Sequence, residues 1–283
     1  MILDGKLVAS KIKALLKEEV ETRKPGARSP HLIIITIGED PASQVYVRNK
    51  IKACAEVGIT VEHKIFTATD SVYTIKNAIE RYNFDHTVDG IMVQLPVPEG
   101  FDERTLIDTI LPQKDVDGLT TTNIGRLRSG QACLYPCTAQ GIIDLLDYYD
   151  IEITGKDITV IGRSNIVGKP VADMLMARGA TVTQCHSKTR DLTLHTIPAD
   201  IIVSAVGVPK LLTRDHILKG ITNTIIDVGI NRDENGKLCG DVDFEQLQDR
   251  VNAITPVPGG VGPMTVAELM KNTVTAWRRQ CAY

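Results

Sequence analysis

No stretch of the 283-residue chain approaches the ~20 consecutive apolar residues needed to cross a bilayer, so no membrane-spanning helix is expected. Charge of one sign is not in excess either. Lys and Arg number 32 against 35 Asp and Glu, and the net charge of −3 gives no basis for a nucleic-acid partner. The opening Met-Ile-Leu-Asp-Gly-Lys has an acid at Asp4 and no apolar signal core, so no export signal is expected. Cysteine is sparse and scattered. The closest pair, Cys133 and Cys137, is C-x3-C without a second pair, so no metal site is expected and reduced thiols in a cytoplasmic enzyme are. Internal repeats and low-complexity segments are absent. What remains, 43% apolar and 24% charged, is the composition of a globular protein with length for one large domain or two of ordinary size.

The most informative stretch is Asp157-Ile-Thr-Val-Ile-Gly-Arg-Ser-Asn-Ile-Val-Gly-Lys-Pro170. Ile158, Val160 and Ile161 read as a buried strand, and Val171 to Arg178 as a helix. Between them lies a turn with glycines at 162 and 168. Such a turn lets the backbone approach a pyrophosphate, and the helix N-terminus supplies N–H donors and positive dipole. Its Gly-x5-Gly spacing is not the usual G-x-G-x-x-G, and an ordinary strand–helix turn is the alternative. Further strands at Ala180–Cys185, Ile201–Val206 and Ile225–Val228, the last two ending in glycine, argue for a parallel sheet with ligands at that edge.

Before this sheet the pattern also alternates. Leu7 to Val20 has helical spacing and ends near Pro25-Gly26, and His31–Gly38 reads as a buried strand. Asp40-Pro41 opens a helix to Val57 that Gly58 stops. On that helix Ser43, Tyr46, Val47, Lys50 and Cys54 share a face, with Tyr46 and Lys50 direct neighbours. Strands follow at Ile59–Thr67 and Val88–Pro96, with helices at Ser71–Tyr82 and Phe101–Ile110. Lys114-Asp-Val-Asp-Gly118 is a polar turn, and Thr120–Gly130 reads as a polar crossing between two α/β halves. Thr138 to Tyr149 is helical. Near the end, Thr255-Pro-Val-Pro-Gly-Gly-Val-Gly-Pro-Met-Thr265 is a loop specified by its prolines, and Thr265-x-x-Glu268 predicts the start of a last helix.

Ser43-Gln-Val-Tyr46-x3-Lys50, Gln94-Leu-Pro96, the 114–118 turn, Pro136-Cys-Thr138, the 162–170 turn, Asp227-Val-Gly-Ile230 and the 255–265 loop, in this order, resemble one family. It is the bifunctional methylenetetrahydrofolate dehydrogenase/methenyltetrahydrofolate cyclohydrolase, or FolD, family. One departure is Ala139, where the family usually has proline after Pro-Cys-Thr. The resemblance implies an α/β fold of two α/β domains flanking a cleft. Residues 1–119 would form the folate-binding catalytic domain, with helix 265–283 returning to it, and 120–264 an NADP-binding Rossmann-type domain. It further implies oxidation of 5,10-methylenetetrahydrofolate with NADP, then hydrolysis to 10-formyltetrahydrofolate, in an enzyme whose relatives are commonly homodimers.

Carried onto this chain, the resemblance makes Lys50 the proton-transfer residue, oriented by Gln94, with Tyr46 offering its ring to the folate. A lysine working near neutral pH needs partial burial and neighbours that favour its neutral form, and an amide suits that better than a carboxylate. Asp117 is a two-point acceptor suited to the amino-pyrimidine edge of a pterin. Asp115 is its alternative, or else a turn former. Leu95, Pro258, Gly259, Gly260 and Val261 complete the implied substrate set. Gly162, Arg163, Ser164, Ser187 and Ile230 are the implied cofactor residues. No acid ends the second Rossmann strand, which reads Gln184-Cys-His-Ser-Lys188, so NADP is expected over NAD. Cys137, Cys185 and His186 are not expected to be catalytic. A two-domain dehydrogenase of the shikimate type and a non-catalytic folate- or nucleotide-binding protein are the rival readings, and both lack a reason for Tyr46, Lys50, Gln94 and Asp117 together.

Overall fold

The computed structural model describes residues 1–24, 26–218 and 223–281; Pro25, at the expected end of the first helix, and residues 282–283 of the last lie outside them. The chain divides into two compact units, Lys11–Cys137 with Val266–Tyr283, and Met1–Ser10 with Thr138–Thr265. Among the described residues no helix is long and apolar enough to cross a membrane.

The first unit takes the larger part of α1 (Gly5–Glu21) and then alternates: β1 (His31–Ile37), α2 (Pro41–Val57), β2 (Thr60–Phe66), α3 (Val72–Phe84), β3 (Gly90–Val93), α4 (Glu103–Asp108) and α5 (Thr121–Arg128). Its sheet is parallel in the order β2-β1-β3, with Leu32 opposite both Val61 and Gly90. β1 is central because Leu32 to Ile35 are all apolar and fully buried, as a strand covered on both faces requires. Ile33, Ile35 and Ile91 pack with Ile75 and Ile79 of α3 and Leu106 of α4. α2 starts and stops where its sequence says. The Asp40 carboxylate accepts from Ser43 N at 2.7 Å, and Gly58 closes the helix at φ 88°.

The second unit contains α6 (Cys137–Tyr148, all but its first residue), β4 (Asp157–Ile161), α7 (Gly168–Ala177), β5 (Thr181–Cys185), α8 (Thr193–Thr196), β6 (Ile201–Ser204), β7 (Thr224–Asp227), the hairpin β8 (Asn231–Arg232) and β9 (Leu238–Cys239), α9 (Phe244–Leu247), β10 (Ala253–Ile254) and the start of α10 (Val261–Cys281). Its five main strands are parallel in the order β10-β7-β6-β4-β5. The crossovers therefore reverse between β4 and β6, and the carboxyl ends of those two strands form the switch point of a doubly wound sheet. The first residues pair onto the edge strand: Ile2 bridges Ile254, and Leu3 N donates to Ile254 O at 2.9 Å.

Two elements differ from expectation. The polar segment 120–130 is not a connector: α5 occupies it, buries Leu127 and sends Asn123 Nδ2 to Pro112 O and Asp115 Oδ2, both at 2.9 Å. Compactness accordingly places residues 120–137 with the first unit and residues 1–10 with the second. The last helix begins at Val261, so Thr265 is an interior residue whose hydroxyl bonds Thr138 Oγ1 and Val261 O instead of capping.

Candidate active site

In the first unit, α2 rises from the carboxyl end of β1. Val47 anchors its inner face and is 1% exposed, whereas Tyr46 beside it is 40% exposed. One turn on, Lys50 is half-buried and its Nζ donates to Gln94 Oε1 at 2.9 Å, with Met92 Sδ at 3.9 Å. Gln94 directly follows β3. Its backbone N–H is held by Ile35 O at 2.8 Å and its Nε2 by Leu95 O at 2.6 Å, so Oε1 is the end left for the lysine. A pocket of about 330 Å³ lies at the carboxyl ends of β1 and β2 against the N-terminal half of α2, and Ser43, His63 and Gln94 are in its wall. Cys54, a turn beyond Lys50, is buried, and desolvation pushes its thiol up to about 12, which removes it as a nucleophile near neutral pH.

The 114–118 turn resolves its two acids. Asp115 is buried and accepts from Gly118 N, Leu119 N, Thr120 N and Asn123 Nδ2 at 2.8 to 3.2 Å. It is the turn former, and burial raises its carboxyl above the usual range. Asp117 is half-buried and carries none of those turn bonds. Its carbonyl accepts from Cys137 N at 3.3 Å, and its carboxylate lies beside the Cys137 thiol. Burial foremost, then Asp117 and Glu268, raise that thiol well above its ordinary value, while Lys50 opposes them. Cys137 therefore stands within electrostatic reach of both Lys50 and Asp117. Asn272 of α10 fixes the same spot, with Nδ2 2.9 Å from Val116 O and 2.8 Å from Tyr135 O. Gly118 is required here, at φ 73°, because a Cβ would overlap the backbone at Tyr135 and Pro136.

The remaining residues expected to bind substrate belong to the second unit. Pro258 is exposed, whereas Gly259, Gly260 and Val261 are buried. Gly260 N bonds Pro256 O at 2.8 Å, Lys6 N bonds Gly259 O at 3.1 Å, and a Cβ on Gly5 would overlap Gly260 O. The loop is thus held from the N-terminal residues of the chain.

The residues expected to hold the cofactor lie in a row along the carboxyl edge of the second sheet. Gly162, at φ 124°, ends β4 so close to β6 that a Cβ would overlap Ala205 O, and one on Gly168 would overlap Gly162 O. Ser164 Oγ accepts from Val167 N and Gly168 N, at 3.1 and 3.2 Å, and so fastens the start of α7. Arg163 is exposed after β4, as is Ser187 after β5; the two strands pair at Ile161 and Cys185, so the two residues leave the sheet at the same level. Ile230, 49% exposed, follows β7. Three strand spacings, about 14 Å, separate the ends of β5 and β7. A tight glycine turn, a ten-residue helix beginning at it and an exposed guanidinium suit a phosphate-bearing dinucleotide. Asn272 carries no sequence signal of its own, because its role depends on partners far along the chain.

Residues 3–117 match the family model described as tetrahydrofolate dehydrogenase/cyclohydrolase, catalytic domain, and residues 136–281 that of its NAD(P)-binding domain. The bifunctional protein FolD of Moorella thermoacetica is 53% identical over 279 residues, 98% of this chain and 99% of the relative. The crystal structure of the bifunctional FolD dehydrogenase/cyclohydrolase of Campylobacter jejuni is 44% identical, with TM-score 0.96 and 99% of each chain covered. The Trypanosoma brucei enzyme, solved with NADP cofactor and inhibitor, is 38% identical, with TM-score 0.94 over 100% of this chain and 99% of that one.

Proposed function

The chain belongs to the tetrahydrofolate dehydrogenase/cyclohydrolase family, and on that premise we propose how its own residues carry the two reactions. The first oxidises 5,10-methylenetetrahydrofolate with NADP to the 5,10-methenyl cation. The second adds water to that carbon and opens the ring to 10-formyltetrahydrofolate. The observation that carries the reading is the Lys50–Gln94 bond at 2.9 Å, in the same unit as the half-buried Asp117.

In this reading the first unit does the folate chemistry. Asp117 accepts two hydrogen bonds from the amino-pyrimidine edge of the pterin, and Tyr46 lays its ring against the folate. Leu95 adds to the binding surface. Lys50 donates to and accepts from the attacking water and the departing ring nitrogen. Gln94 keeps the lysine amine aimed without placing a negative charge beside it, which would favour the ammonium form. Proton transfer of this kind is typically worth ~10²–10⁴-fold.

The second unit holds NADP, whose nicotinamide accepts the hydride. Gly162, Ser164 and the start of α7 receive the pyrophosphate, Arg163 and Ser187 the 2′-phosphate, and Ile230 packs on the cofactor farther along the edge. The hydride step asks the protein mainly for alignment. We read the protein as a cytoplasmic homodimer acting on a small-molecule folate. Its six cysteines are all unpaired, which fits a reducing compartment. Two absorbance assays test the function: NADPH formation with methylenetetrahydrofolate, and loss of the methenyl chromophore without cofactor. Absence of both from folded protein refutes it. Sedimentation tests the dimer.

A further inference from the structure

Asp241, in the segment after β9, is 0% exposed and takes no part in the chemistry above. Its Oδ2 accepts from Val206 N at 2.7 Å, Ser204 Oγ at 3.2 Å and Gly207 N at 3.3 Å. Its Oδ1 accepts from Val208 N at 3.0 Å and Asn231 Nδ2 at 2.9 Å. Three consecutive backbone N–H groups of the turn after β6 thus wrap one carboxylate, as a backbone nest wraps an anion. That turn begins at Ala205, the residue against which Gly162 is pressed. Asn231 directly follows Ile230, so the same carboxylate also fastens the turn after β7.

A second buried acid orients the first. Asp227 Oδ1 accepts from Gly229 N at 3.0 Å and Asp241 N at 2.9 Å, and Oδ2 accepts from Val242 N at 3.0 Å. The fit is reciprocal: a Cβ on Gly229 would overlap the Asp241 carboxylate, and one on Gly240 the Asp227 carboxylate. With their N–H groups turned inward, residues 206–208 offer no donors to a phosphate, which leaves phosphate binding to the glycine turn.

We propose that Asp241 is a positioning residue for the nicotinamide cofactor, setting the turns after β6 and β7 along the carboxyl edge of the second sheet. The inference rests on the reading of that edge as the NADP site. It separates from a merely structural role because only one of the two activities needs the cofactor. Hydrolysis of the methenyl compound takes no hydride acceptor.

The test is Asp241→Asn, which keeps size but turns an amide donor toward N–H donors. Both assays and the KM for NADP are measured on the same preparation, with methenyl hydrolysis run without cofactor. The KM for NADP should rise about tenfold or more, the scale of one hydrogen bond to a charged group, and the ratio of dehydrogenase to cyclohydrolase activity should fall. Ser204→Ala removes a single donor and should move both quantities the same way by a smaller factor. If Asp241→Asn does not fold, Ser204→Ala decides. An unchanged ratio, whether both activities fall or neither does, overturns the proposal. Lack of both activities in the unaltered protein would refute the functional reading instead.

Discussion

Lys50 Nζ and Gln94 Oε1 are 2.9 Å apart, and the far end of the same amide is tied to Leu95 O. The amide cannot flip without losing that bond, so the lysine meets an acceptor fixed in place and neutral. Lys50→Gln and Lys50→Met keep much of the stem and remove the amine. Cyclohydrolase activity should fall ~10²–10⁴-fold or more, the usual worth of general acid–base catalysis. Dehydrogenase activity should fall less, because oxidation gives a cation spread over two nitrogens and moves no proton. Near-normal methenyl hydrolysis in a variant with native circular dichroism would refute the role given to Lys50.

Asp117→Asn tests recognition. The amide leaves one acceptor and turns a donor toward the donors of the pterin. Both activities should drop together, chiefly through a higher KM for folate, by about 10- to 100-fold for a lost charged hydrogen-bond pair. Loss of one activity alone, at normal folate affinity, would show that Asp117 does something other than hold the ring.

Arg163→Ala addresses cofactor choice. The guanidinium stands exposed at the level of Ser187, and no acid stands at the end of β5, in Gln184–Lys188, to bind a ribose hydroxyl. The variant should lose kcat/KM for NADP by roughly tenfold or more and change little with NAD, since only NADP carries the extra phosphate. Equal losses with both cofactors would remove Arg163 from the 2′-phosphate site.

The Asp227–Asp241 pair predicts a pH dependence of stability. Burial first, with Asp241 adding repulsion, pushes the Asp227 carboxyl up to about 7. The unfolded chain keeps a value near ~3.9. A folded value above the unfolded one means that this contribution to stability is complete below about pH 4 and is lost as pH rises through about 7, on the order of 4 kcal/mol at most. Asp227→Asn has no such titration. Thermal melts from pH 5 to 8 should therefore show the unaltered protein losing ground to the variant as pH rises; parallel curves would contradict it.

Local signals in the sequence carried well. Asp40-Pro41 and Gly58 bound α2 because caps act within one turn, and the apolar runs of β1, β4, β6 and β7 have no other stable use. α5 was not legible, since its buried residues are few and one of them, Asn123, is polar. Thr265-x-x-Glu268 has the form of a capping box, but the helix already begins at Val261. The shared face of Tyr46 and Lys50 and the strand-end place of Gln94 follow from a helical repeat and an apolar run, whereas the roles proposed for them rest on the family resemblance. Only the family resemblance favours Asp117 over Asp115, because two acids two residues apart differ only in which donors the folded turn brings to them. Asn272 was invisible for a related reason: it meets carbonyls at 116 and 135, more than a hundred residues earlier.

Each compact unit is assembled from two separate lengths of chain, and this bears on the order in which the protein can be completed during synthesis. The first unit includes Val266–Tyr283, and the second includes Met1–Ser10, whose partner strand ends at Ile254. As the chain emerges, the N-terminal residues wait for β10, and the turn at Val116 waits for Asn272. Domains usually fold as they leave the ribosome, N-terminal first. Here neither unit closes until the chain has been made past Ile254, so cutting the gene between codons 137 and 138 would give two fragments that each lack a piece of their own core.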